Sequence, residues 1–206
     1  MRVAIVGGTG PFGRALAARL GAAGDDVTIG SRDAERARAV AEELGVRGLR
    51  NEDAVCGADV IVLAVDAEAA LESAASLRNL LHAPLLSVAS RLEFAGGAAL
   101  PAPDAKSLAE RIRETVNVPV VAGLHSLAAR KLAAGRPDED ALVCGSPRDA
   151  DAKALALELA GKVVAGRAID AGPLAVARAL EGMTAVIVNV NRLHRAHAGL
   201  RVTGLE

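Results

Sequence analysis

The 206-residue chain predicts an α/β fold: a Rossmann-type, mostly parallel sheet followed by a small C-terminal α/β-to-helical portion. Three observations carry that prediction. Short unbroken Val/Ile/Leu runs alternate with helix-period stretches from Arg2 to about Val88, the pattern of βαβ units whose strands are covered on both faces. A glycine-rich turn, Gly8-Thr9-Gly10-Pro11-Phe12-Gly13, separates the first such run from the first helix. Beyond His125 the alternation loosens and ends in an apolar helical segment. The expected division is a dinucleotide-binding domain over residues 1–124 and a small domain over 125–206 that closes a substrate cleft and takes part in a dimer.

In chain order, strands are predicted at Arg2–Val6, Asp26–Gly30, Val60–Val65 and Pro84–Val88, with a further one near Val46–Leu49. Asp33 is placed to cap the helix Ala34–Leu44 before Gly45, and Asn51 to cap a short one before Gly57. From Arg91 to Pro103 the breakers Gly96, Gly97 and Pro101 argue against a helix and suit a lid or edge over a ligand. Ser107 and Glu110 have capping-box spacing, and Val118–Gly123 continues the sheet to roughly six strands. A helix over Leu127–Gly135, a strand near Leu142–Cys144, a helix from Ala150, a strand around Lys162–Ile169 and a terminal helical region follow.

Composition excludes several kinds of partner. The formal net charge is −1 and the basic residues are scattered, so the electrostatic footprint of a nucleic-acid binder is missing. Aromatic residues make up 1% of the chain, with no Trp or Tyr, so any planar ligand is gripped by aliphatic side chains and backbone. Cys56 and Cys144 lack metal-ligand spacing, and His194 and His197 have no acidic or cysteine partner nearby, so no metal is predicted. No basic-then-apolar leader is visible, and no apolar run approaches the ~20 residues that cross a bilayer. The expectation is a cytoplasmic protein whose ligands are small molecules, without nucleic-acid or membrane partners.

The glycine turn has the strand–turn–helix context its chemistry requires. Gly8 is expected to permit the tight turn, Gly10 to let backbone approach a pyrophosphate, and Gly13 to let the helix pack on the strand. The second strand selects the dinucleotide. An NAD site ends that strand in an acidic residue for the ribose 2′-hydroxyl, whereas this one reads Ile29-Gly30-Ser31-Arg32. Ser31, Arg32 and Arg36, one helical turn on, suit the 2′-phosphate of NADP.

At this point the segments MRVAIVGGTGPFG, VTIGSRDAERA and LRNEDAVCGADVIVLAV resemble the NADP oxidoreductases that use the deazaflavin coenzyme F-420. GLHSLAARKLA, LVCGS and Asp170-Ala171-Gly172-Pro173-Leu174 extend the resemblance over nearly the whole chain. It implies reversible hydride transfer between NADP and coenzyme F-420 as second substrate, with no catalytic acid or base from the protein. It places Thr9, Gly10, Pro11 and Phe12 at the pyrophosphate, Val65 beside the nicotinamide ribose, and Ser90 and Ala128 further along the cleft.

His125, at the carboxyl edge of its strand, is placed either to hydrogen-bond a ring carbonyl or to serve the fold. Two segments depart from the family. Val65-Asp66-Ala67-Glu68 stands where a proline and an aromatic residue are usual, and Ser87-Val88-Ala89-Ser90-Arg91 replaces a proline-containing turn. Two rival functions stay open: an NADPH-dependent reductase of a small imine or carbonyl compound, and a non-catalytic NADP-binding sensor. The apolar stretch Gly182–Leu193, with Asn189 and Asn191 inside it, buries itself either against a second subunit in a homodimer or against the sheet.

Overall fold

A computed structural model describes residues 1–205. The chain opens with β1 (Arg2–Val6), passes the glycine turn into α1 (Pro11–Ala22), and continues through β2 (Asp26–Ser31), α2 (Ala34–Leu44), β3 (Arg47–Arg50), α3 (Asn51–Ala54), β4 (Val60–Leu63), α4 (Ala67–Leu77) and β5 (Leu85–Ser87). A hairpin of β6 (Leu92–Ala95) and β7 (Ala98–Pro101) interrupts the alternation. After it come α5 (Leu108–Thr115), β8 (Val120–Gly123), α6 (Ala129–Ala134), β9 (Ala141–Gly145), α7 (Ala150–Val163), β10 (Ala168–Asp170) and α8 (Ala177–His194).

One eight-stranded sheet, in the order β10-β9-β8-β5-β4-β1-β2-β3, runs through the molecule. All neighbours are parallel except β8 and β9. Expectation stopped at about six strands; β9 and β10 add themselves to the same sheet. The core follows from the two-residue repeat of strands. Val3 and Ile5 point to one face and meet Leu16, Leu20 and, further along, Leu159 and Val163. Ala4 and Val6 point to the other, with Leu77, Ile112 and Leu180.

Local chemistry explains most boundaries. Asp33 Oδ1 accepts from Glu35 N and Arg36 N and starts α2, which Gly45 ends at a left-handed φ of 67°. Ser107 and Glu110 form a reciprocal capping box at α5. Three expectations need correction. Asn51 does not cap α3: Arg50 is the N-cap, while Asn51 is the first helical residue, with its side chain buried against Gly30. The strand expected around Lys162–Ile169 begins only at Ala168, because α7 keeps Leu159, Ala160 and Val163 in the core up to its last residue.

The third correction is Leu174–His194. Counting the short 3-10 turn before α8, these 21 residues are long and apolar enough by length and composition to cross a membrane, contrary to the expectation that no such run exists. In this fold the helix instead contacts α5, β7 and β8 and carries a buried carboxylate, Glu181, that accepts from Leu108 N and Ala109 N. Burial raises the Glu181 pKa, and those two N–H groups pull it back.

The hairpin is closed by Gly96 and Gly97, whose φ values of 57° and 75° suit a two-residue type I′ turn. It lies on α8, where Asn189 Oδ1 accepts from Ala99 N and Asn189 Nδ2 donates to Ala99 O, as a neighbouring strand would. Replacing Ser107 by Ala removes one half of the α5 capping box, and the expected cost is about 1 kcal/mol. Thermal unfolding followed by circular dichroism should show a midpoint lowered by about 3 °C.

Candidate functional site

The carboxyl edge of β1, β2, β4, β5 and β8 collects the residues that matter. Gly7, not Gly8, supplies the left-handed turn, with φ 79°. Gly8 is required for a different reason: a Cβ there would lie 2.5 Å from Ile29 Cβ. At Gly13 a Cβ would meet Gly7 O and Gly8 Cα at 2.7 Å, so its absence lets α1 pack on the turn. Gly10 is the opposite case. A Cβ there would have only Gly7 O near it, at 3.4 Å, so the protein itself leaves that space open. Gly10 is the N-cap of α1 and no side chain caps the helix, so its first-turn N–H groups and positive dipole end are free for an anion.

Ser31 ends β2, buried, and its Oγ accepts from Asp33 N, which leaves the hydroxyl proton to donate. Asp33 Oδ1 accepts from the first N–H groups of α2. Arg32 and Arg36 are exposed, and among the described residues neither forms a salt bridge, although many arginines of this chain do. Such an arrangement offers two cations and a hydroxyl to a phosphate.

Gly10, Pro11 and Phe12 face Ala64, Val65, Asp66, Val88 and Ala89 across an open cleft. Thr9 lies in the turn itself, half-buried. Ser90 belongs to a second cluster. Its Oγ lies 2.7 Å from Thr184 Oγ1, which donates to His125 O at 3.0 Å. Because Thr184 has one proton and gives it to that carbonyl, Ser90 is the donor in the first bond and keeps its own oxygen as an acceptor. Thr184 was missed in the sequence; a hydroxyl inside an apolar helical run was the available signal. Ala128, half-buried, is the N-cap of α6, which packs on α1.

His125 is held by strain. Leu124, just before it, is buried at φ 65°, a left-handed conformation that costs a branched residue about 1 kcal/mol or more. Burial pushes the His125 pKa down to about 4, and the Ala89 carbonyl only partly opposes it. That carbonyl does not reach full hydrogen-bond geometry, since neither ring nitrogen is paired. Ser87 Oγ, fully buried at the end of β5, is likewise unpaired. Unsatisfied polar groups of this kind concentrate where ligands act.

The motif Asp170–Leu174 is not in the cleft. Asp170 pairs with Lys153 at 2.7 Å and accepts from Gly172 N, which forms the turn that launches α8. A larger hollow, bounded by Gly21, Asp25, Glu43 and Arg47, lies at the amino edge of the strands, away from the glycine turn.

A diphosphate turn of this geometry, beside a second strand that ends in a hydroxyl and free arginines, defines an NADP-dependent oxidoreductase of the Rossmann class. Comparison with known proteins narrows the class. Residues 2–91 match the family of NADP oxidoreductases that are coenzyme F-420-dependent. An F-420-dependent NADP reductase of Methanothermobacter thermautotrophicus is 36% identical over the whole chain and 96% of its own length. One from Methanocaldococcus jannaschii is 32% identical over all of both chains. A crystal structure of a putative F-420-dependent NADP reductase from Arthrobacter sp. FB24 superposes with a TM-score of 0.82 at 28% identity, covering 99% of this chain and 100% of that one. The chain therefore belongs to the coenzyme F-420-dependent NADP oxidoreductase family, whose enzymes exchange reducing equivalents between those two coenzymes.

The depressed pKa of His125 fixes a pH dependence. The native ring stays neutral to about pH 4, whereas the unfolded ring takes a proton below about 6.5, so stability is lost as pH falls through that window. The expected loss on this account is about 2 kcal/mol between pH 7 and pH 4.5. Urea denaturation at the two pH values should show that difference shrinking by the same amount in His125→Asn.

Proposed function

We propose that the protein transfers hydride between the nicotinamide of NADP and coenzyme F-420, which enters as the second substrate. The observation that carries this reading is the cluster of Ser90, Thr184 and His125 beside the cofactor cleft. The cleft beside it is bordered by Ala64, Val65, Val88 and Ala89, with Phe12 its one aromatic side chain, so a planar ring would meet mainly aliphatic side chains and backbone. The coenzymes supply the redox chemistry, and the chain supplies positioning.

Gly8, Thr9, Gly10, Pro11, Phe12 and Gly13 would bind the pyrophosphate, Ser31, Arg32 and Arg36 the 2′-phosphate, and Val65 the nicotinamide ribose. Ser90, with its oxygen free to accept, and His125 and Ala128 would border the deazaflavin. No protein group relays a proton in this reading. Residues 125–206 would close the cleft over residues 1–124, chiefly through α8.

A homodimer in the cytoplasm completes the proposal. Support for the second copy comes from α8 and the hairpin it holds: Val186 is 59% exposed, Leu193 76% and Phe94 73%. Large apolar side chains grouped at that level ordinarily meet a partner.

Three outcomes are expected. Coenzyme F-420 should be reduced by NADPH carrying deuterium at the transferring position, with the label recovered undiluted in the product; no reduction, beside turnover of a small imine or carbonyl compound, would replace this reading with that one. A protein that binds NADPH and turns over neither acceptor is a sensor. Arg32→Ala should weaken NADPH binding by roughly 10- to 100-fold while leaving NADH binding nearly unchanged, measured by calorimetry, since charge-assisted bonds to the phosphate are worth about 1.5–3 kcal/mol. Sedimentation should give a dimer mass that falls to the monomer in Val186→Asp.

A further inference from the structure

Among the described residues, Asp66 is the only charged side chain on the wall of the cleft between the pyrophosphate turn and the end of β5. It follows Val65 directly, the residue that the proposed function sets beside the nicotinamide ribose. Its neighbours on that wall, Val65, Val88, Ala89, Pro11 and Phe12, are apolar.

The obvious structural use of this aspartate is not made. Asp66 is the N-cap of α4, the position where Asp33 holds the N–H groups of α2, yet its carboxylate forms no cap hydrogen bond. No hydrogen bond or salt bridge to its side chain occurs among the described residues. Arg91, two residues beyond Ala89 of that wall, is already paired with Asp104 at 2.5 Å. The carboxylate is thus uncompensated by the protein and exposed at the cleft.

The two redox forms of a nicotinamide dinucleotide carry the same phosphates. They differ at the ring, which is a cation when oxidised and neutral when reduced. A carboxylate on the ring side of the site therefore repels the phosphates of both forms equally but attracts only one ring. We propose that Asp66 sets the redox preference of the site: it holds NADP+ more tightly than NADPH and biases the bound equilibrium toward reduced deazaflavin.

The step balances as follows. Hydride, with its two electrons, leaves the dihydronicotinamide and joins the deazaflavin ring; a proton from solvent completes the reduced deazaflavin, and the positive charge left on the nicotinamide stands near Asp66. This rests on the function proposed above.

The size follows from Coulomb's law. For charges about 7 Å apart at a partly wet surface, the preference amounts to about 3- to 10-fold in affinity. Added salt reduces it, because the carboxylate is exposed.

The test is calorimetric titration of the whole protein with NADP+ and with NADPH, without deazaflavin. In Asp66→Asn the ratio Kd(NADPH)/Kd(NADP+) should fall by about 3- to 10-fold relative to the unaltered chain. Asp66→Glu should keep most of the ratio, and Glu68→Gln, two residues beyond the cleft wall on α4, should keep all of it. An unchanged ratio in Asp66→Asn overturns the proposal, as does an equal loss for both forms, which would make Asp66 a part of the α4 start and nothing more. If the unaltered chain bound neither form, the NADP reading itself would fall, a result plainly distinct from an unchanged ratio.

Discussion

The close passage of the β1–α1 turn against β2 governs everything at the carboxyl edge. With Gly8 less than a side chain's width from Ile29, and Gly13 against the backbone of Gly7 and Gly8, α1 can sit only where its N-terminus looks over the strand ends. A methyl group at either glycine would push that helix outward. The free arginines after β2 would then no longer share an edge with the helix N-terminus. Gly10 belongs to a separate logic, since nothing in the protein occupies the volume its side chain would fill. Two glycines serve the fold, and the third keeps a space open at the helix N-terminus.

The second half of the site is organised by α8. The turn formed by Asp170 and Gly172 sends this helix back toward the carboxyl edge, where Glu181 grips the start of α5, Thr184 grips His125 O and Asn189 grips the hairpin. Each contact is polar, and each lands on a different connection. An apolar helix alone would slide along such a surface; spaced hydrogen bonds fix both its register and its rotation. Glu181 shows what this fixing costs: its carboxylate is buried, and two N–H groups only partly offset the desolvation.

How much of this could be read from the chain depended on whether the signal was local. Capping at Asp33 and at Ser107 with Glu110 follows from near neighbours, and the structure has both. The strand Arg2–Val6 and the helix Ala34–Leu44 fall where hydrophobic period and caps put them. Gly96-Gly97 is a local hairpin signal, obscured because the flanking strands Leu92–Ala95 and Ala98–Pro101 are short and mostly exposed, so neither shows clear alternation. Other features depended on distant parts of the chain. Gly8 is required by the approach of Ile29, 21 residues on, while Gly7 takes the positive φ, and Thr184 gains its role from Ser90, 94 residues earlier. The turn Asp170–Leu174, the most recognisable motif of the second half, proved to be scaffold, because recognisability reflects backbone constraint as readily as chemistry.

The position of α8 at the end of the described chain has a consequence for biosynthesis. A growing polypeptide can close the glycine turn and pair β1, β2 and β4 as soon as the first third has emerged, and so can complete the glycine-turn side of its cleft early. Ser90 and His125 are by then unable to form their cluster, because Thr184, which joins them, has not been made. An unfinished chain therefore holds the glycine turn and its sheet without the Ser90–Thr184–His125 cluster, which forms only when the last long helix docks.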